Sequence, residues 1–130
     1  MVLHSVLTST PTTDIRILRR STFTFDKDQP VIVFSDSPDW VQEQEFFGGD
    51  RFVISVPEDK YSDGSYEPYI DLCLMSLCSH AIIANSSLSW WGAWLQSNPN
   101  QKVIAPKRWY GPAYADKDLS DLYCKDWIVV

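Results

Sequence analysis

Residues 74–95 read LMSLCSHAIIANSSLSWWGAWL, and the change of texture along this stretch decides the fold. Its first residues close a helical pattern expected from Glu67 to Ser79, in which Tyr69, Ile70, Cys73, Leu74, Leu77 and Cys78 recur at spacings of three and four. Ala81-Ile82-Ile83-Ala84 is apolar at successive positions, as in a strand buried on both faces. Asn85-Ser86-Ser87 breaks that run, and a second helix is expected from about Leu88 to Gln96. Helix, buried strand, polar turn and helix together form the repeating unit of a parallel sheet.

Upstream, Val31-Ile32-Val33-Phe34 is a second wholly apolar run, ended by Ser35-Asp36-Ser37-Pro38. Ser37 is a plausible N-cap, Pro38 suits the first helical position, and the helix should stop near Phe47 before Gly48-Gly49. Strands are expected near 31–34, 51–55, 81–84 and 102–105, with a polar loop over 57–65 and a long loop over 106–121. Trp127 to Val130 is a last apolar segment. Residues 1–29 have weak periodicity and read as the poorly defined remnant of an upstream region that could hold one helix or strand; 30–130 are expected to form the α/β domain. In such a domain, helices cover both faces of a parallel sheet. Ligands sit beyond the carboxyl ends of its strands. Those ends are Ser35-Asp36, the loop after Val56, Asn85-Ser86-Ser87 and Pro106-Lys107-Arg108.

The chain has 130 residues, enough for one core but not for two domains with a cleft between them. Its net charge of −6 argues against a nucleic-acid partner, which would require a basic face. No apolar run approaches the roughly 18–20 residues of a membrane-spanning helix, and the first residues do not form a signal peptide. Cys73, Cys78 and Cys124 read as thiols, with Cys73 and Cys78 facing inward on their helix. There is no Gly-x-Ser-x-Gly elbow for a serine hydrolase.

Small hydroxyl residues between a buried strand and a helix start offer free N–H groups and the positive end of a helix dipole to an anion, such as one end of a diphosphate. The alternative is that Ser87 only caps the helix and Trp90, Trp91 and Trp94 only fill the core. His80, between a helix and a strand, reads as structural.

Three stretches carry a family resemblance: residues 74–95, VIVFSDSPDWV at 31–41 and VIAPKRWY at 103–110. In this order over about a hundred residues they resemble the α-1,2-fucosyltransferases, glycosyltransferase family 11. The resemblance implies a two-domain GT-B-like enzyme of which this chain is the Rossmann-like, donor-binding C-terminal part. Such an enzyme moves L-fucose from GDP-fucose to the 2-hydroxyl of a galactose-terminated glycan, with inversion. Asp36 and Ser35 are then expected at the donor nucleotide, Asp36 holding the guanine or its ribose; the alternative for Asp36 is a helix-entry residue. Ser86 and Ser87 are expected at the diphosphate, with Asn85 and Ser89 nearby and Asp71 as a secondary candidate. No residue is assigned as the catalytic base. No Asp-x-Asp pair is assigned to a divalent ion, and the chemistry implied is metal-independent, without a cofactor.

The family's His-x-Arg-Arg-x-Asp-like motif is not matched by Ile15 to Ser21, IRILRRS, and its arginine is not carried over. The chain is therefore expected to be a truncated part that binds donor weakly, lacking an N-terminal half. The alternative is a non-catalytic GDP-sugar-binding or carbohydrate-binding domain. The expected location is cytoplasmic or membrane-peripheral in a bacterium, or the Golgi membrane for a eukaryotic full-length protein.

Overall fold

A computed structural model describes residues 4–8, 15–22, 24–56 and 67–130. Among them the chain runs β1 (His4–Thr8), α1 (Ile15–Thr22), β2 (Val31–Ser35), α2 (Pro38–Glu43), a 3-10 turn (Glu45–Phe47), β3 (Phe52–Ile54), α3 (Pro68–Leu77), β4 (His80–Ile82), α4 (Ser87–Trp94), β5 (Val103–Ala105), a second 3-10 turn (Pro112–Tyr114) and β6 (Ile128–Val129). The six strands form one sheet in the order β3-β2-β1-β4-β5-β6, and every neighbouring pair is parallel. The α/β class and the four expected strands are as the apolar runs required. The loop expected over 57–65 lies outside the described residues.

β1 lies between β2 and β4, pairing His4 with Val31 on one side and with His80 on the other. α1 also belongs to the core, where Leu18 is buried. The chain lays β1, β2 and β3 outward in one direction, then returns to β1 and lays β4, β5 and β6 in the other. This is the strand order of doubly wound nucleotide-binding sheets, with its reversal between β1 and β4.

Alternation along the strands feeds two faces. Val31, Val33, Ile82 and Ile104 share one cluster with Leu18 of α1 and Val41 of α2. Residues one position away, Phe34, Ala81, Ile83, Val103 and Ala105, face Met75 of α3 and Ala93 of α4 across two further clusters. Strands enclosed on both faces must be apolar at every position, which is why their sequence does not alternate.

α3 and α4 cross where Gly92 meets Met75. A β-carbon on Gly92 would lie 2.6 Å from the Met75 sulfur and 2.8 Å from its β-carbon, so only glycine permits this approach. At their carboxyl ends, Gln96 donates from Nε2 to the Met75 carbonyl at 3.0 Å, and Asn98 donates from Nδ2 to the Ser79 carbonyl at 2.9 Å. Periodicity misjudged one thiol. Cys78 is buried, but Cys73 is exposed on α3, along with Ile70, Leu74 and Leu77. Apolar residues surround most of this helix, so spacing alone did not select its inner face.

Candidate functional site

Beyond the carboxyl ends of β4 and β5 lies a cavity of about 580 Å³. Ile82, Ile104 and Ala105 contribute from the strands, Ile83 from just past the end of β4, Leu18 from α1, and Asn85, Lys107, Arg108 and Tyr110 from the loops. Its base is therefore apolar, and its charged lining residues among those described, Lys107 and Arg108, are both cations.

The loop carrying them is tied down from several directions. The Lys107 N–H donates to the Val130 carbonyl at 2.7 Å, and the Val130 N–H donates to the Ala105 carbonyl at 3.0 Å. The Tyr123 hydroxyl donates to the Pro106 carbonyl at 2.5 Å, its own pKa raised by burial. The Asn85 amide donates to the Trp109 carbonyl at 3.1 Å, joining the β4–α4 turn to the far wall. Trp90 donates from Nε1 to the Leu122 carbonyl at 2.7 Å and packs 5.5 Å from Trp127. This secures the segment after the loop against α4.

The residues expected at the site are not all brought to the cavity. Asn85 lines it. Ser86 is the N-cap of α4, in place of Ser87, and its hydroxyl makes no capping bond; Ser87 is exposed in the first turn. Both stand beside Asn85 at the amino end of the helix. Ser89 turns inward: it is 1% exposed, and its hydroxyl lies 2.8 Å from the Ser86 carbonyl and 3.1 Å from that of Ala84. A hydroxyl so enclosed supports the turn and does not meet a ligand.

Across the reversal, Ser35 is buried at the end of β2, and its Oγ accepts the Ser37 N–H at 3.1 Å. This bond shapes the start of α2 in place of a Ser37 side-chain cap. Asp36 follows, exposed. Parallel strands lie roughly 4.8 Å apart, so the ends of β2 and β4, with β1 between them, are separated by about 10 Å. Asp71 is buried near the end of β3, where it accepts a hydrogen bond from the Ser55 hydroxyl at 3.0 Å. It pins α3 to the outer part of the sheet and is remote from the cavity.

His80 begins β4, at the opposite edge of the sheet from the cavity. Its Nδ1 accepts the Lys102 N–H at 2.9 Å, which places the ring proton on Nε2 in the neutral form. Burial, and secondarily the Lys102 charge, hold its pKa below the usual 6.5. Two Asp-Lys-Asp triplets occur, at Asp26–Asp28 and Asp116–Asp118, but both are exposed and neither lines the cavity. Asp26 and Asp118 accept N–H groups of Asp28 and Ser120, so each closes a local turn. Trp91 and Trp94 are about half exposed on the outer side of α4, and neither lines the cavity.

Sequence reasoning marked Pro106-Lys107-Arg108 as a strand end but gave its cations no role. The signal was present: two adjacent positive charges follow a buried strand in an acidic chain.

A sequence model of glycosyl transferase family 11 matches residues 6–130. The chain belongs to glycosyl transferase family 11. Within that family's span, the O-antigen biosynthesis glycosyltransferase WbnK of Escherichia coli is 37% identical over 101 residues, which is 78% of this chain and 30% of the relative. The alpha-1,2-colitosyltransferase of Escherichia coli is 38% identical over 79 residues, 60% of this chain and 25% of the relative. The chain thus spans less than a third of the length of these curated relatives. No solved structure matches it. Among the described residues, no helix is long and apolar enough to cross a membrane. The family-11 match includes part of β1 and all of α1.

Proposed function

We propose that this chain is the donor-binding part of an α-1,2-fucosyltransferase, holding GDP-fucose for transfer to the 2-hydroxyl of a galactose-terminated glycan with inversion. The observation that carries this reading is the placing of Asp36 and the cavity on opposite sides of the sheet's reversal. In doubly wound sheets an acidic residue beyond a strand end meets the nucleoside, while the phosphates lie against a helix start across the crevice. A span of about 10 Å between the ends of β2 and β4 suits a nucleoside diphosphate laid across β1. Asp36 has the chemistry to accept the paired N1–H and N2–H donors of guanine. Ser86, Ser87 and the first N–H groups of α4 face the diphosphate. Its chemistry is metal-independent, its GT-B-like partner domain supplies the acceptor contacts, and the working location is cytoplasmic or membrane-peripheral.

The relatives' names support glycosyl transfer and, in one case, the α-1,2 linkage. The colitosyltransferase also favours a second reading, in which the transferred sugar is colitose. Assaying the two sugar donors side by side separates these readings.

Ligand-observed NMR or calorimetry with GDP, UDP and ADP tests guanine recognition. GDP should bind more tightly than the other two, though weakly. Asp36→Ala should cost roughly 1.5–3 kcal/mol, about ten- to a hundredfold, in GDP affinity. Equal affinity for UDP and GDP in the parent chain would refute the guanine assignment.

A further inference from the structure

We infer that Lys107 and Arg108 are the cations that hold the donor's diphosphate, a deepening that rests on the nucleotide-sugar reading of the same cavity. The chain carries a net charge of −6, yet no acidic side chain lines the cavity among the described residues. Both its charged lining residues are positive, and they follow directly from Ala105 at the end of β5. A neutral ligand would have no use for two adjacent cations beside an apolar base. An anion would. The neighbouring wall is the β4–α4 turn, so a diphosphate seated there lies between these two side chains and the N–H groups of the first turn of α4. Arginine can grip one phosphate through two parallel N–H bonds, while lysine acts as a compact charge on the other.

The loop is ordered before any ligand arrives. Val130, Tyr123 and Asn85 fix the backbone at Lys107, Pro106 and Trp109 respectively. Little conformational freedom is then lost from the backbone when the anion binds. Asn85 thereby takes a different part from the one its sequence suggested: its amide positions the cation-bearing loop, and it need not touch phosphate.

The test uses inorganic pyrophosphate, GDP, UDP and guanosine as probes of the full chain. The variants are Lys107→Ala, Arg108→Ala and the double substitution. Both side chains are exposed, so melting temperatures should match the parent. Each single change should weaken pyrophosphate and GDP roughly tenfold, and the double about a hundredfold, with guanosine binding unchanged. Raising salt should weaken the parent and flatten its difference from the double variant. Unaltered pyrophosphate and GDP affinity in the double variant overturns the inference and leaves the donor reading standing. Loss of pyrophosphate in the variants, with UDP equal to GDP in the parent, supports the cation pair and removes guanine recognition. A parent that binds neither pyrophosphate nor any nucleotide refutes both.

Discussion

Replacing Gly92 by alanine puts a methyl group 2.8 Å from the β-carbon of Met75 and 2.6 Å from its sulfur. Carbon atoms in ordinary contact lie about 3.5–4.0 Å apart, so the new methyl intrudes by close to 1 Å. The sulfur can swing away, but the Met75 β-carbon is fixed to the backbone, and α3 and α4 must part. Overpacking of this kind costs about 1–3 kcal/mol, and an unmovable neighbour places the cost toward the upper end. Alanine recovers about 0.8–1 kcal/mol through its better helix propensity. The net loss is then about 1–2 kcal/mol. An unfolding entropy of roughly 2.1 cal/mol/K per residue converts this to a fall of about 4–7 °C in Tm. Calorimetry on Gly92→Ala reads it directly. Met75→Ala alone opens a cavity worth about 2–5 kcal/mol, and in that background Gly92→Ala should cost less, because the sulfur and γ-carbon are gone. Some cost should persist, since alanine retains the β-carbon at position 75. A Gly92→Ala protein as stable as the parent would refute the tight crossing of α3 and α4.

Ser89→Ala should lower stability by no more than about 1 kcal/mol, because the Ala84 and Ser86 carbonyls also accept the N–H groups of Ser86 and Trp90. GDP affinity should not change, and a large loss of it would return Ser89 to the site. The depressed pKa of His80 makes stability depend on pH. The unfolded chain takes up the proton first, so this contribution is fully present above pH 6.5 and is lost as the pH falls through the folded value. His80→Gln keeps an acceptor for the Lys102 N–H while removing the titration. Urea melts at pH 7.5 and 5.5 should therefore show a smaller acid loss in the variant; a larger loss would reverse the sign of the argument.

β2 and β5 were legible because burial on two faces writes itself as an unbroken apolar run, as in Val31-Ile32-Val33-Phe34. β1 was not, although it is central: its sequence, HSVLT, mixes polar and apolar residues without a run or an alternation. Its place is set by pairing with two neighbours, which local pattern cannot express. The site was legible as a set of strand ends and no further. Composition alone could not distinguish the inward Ser89 from the outward Ser87, two residues apart on one helix. Nor could periodicity show that Asp71 is buried while Leu77 on the same helix is 76% exposed. That inversion depends on where α3 rests over the sheet.

The central position of β1 also constrains how the chain is born. His4 must wait for His80, 76 positions later, before its second neighbour exists. At about 5–20 residues per second, translation leaves that edge of the strand open for roughly 4–15 s. An unpaired parallel edge is a template for wrong partners, and distant closure slows folding. Slower translation lengthens that exposure, so a chaperone that shields the β1–β2–β3 half until β4 emerges should favour recovery of folded protein.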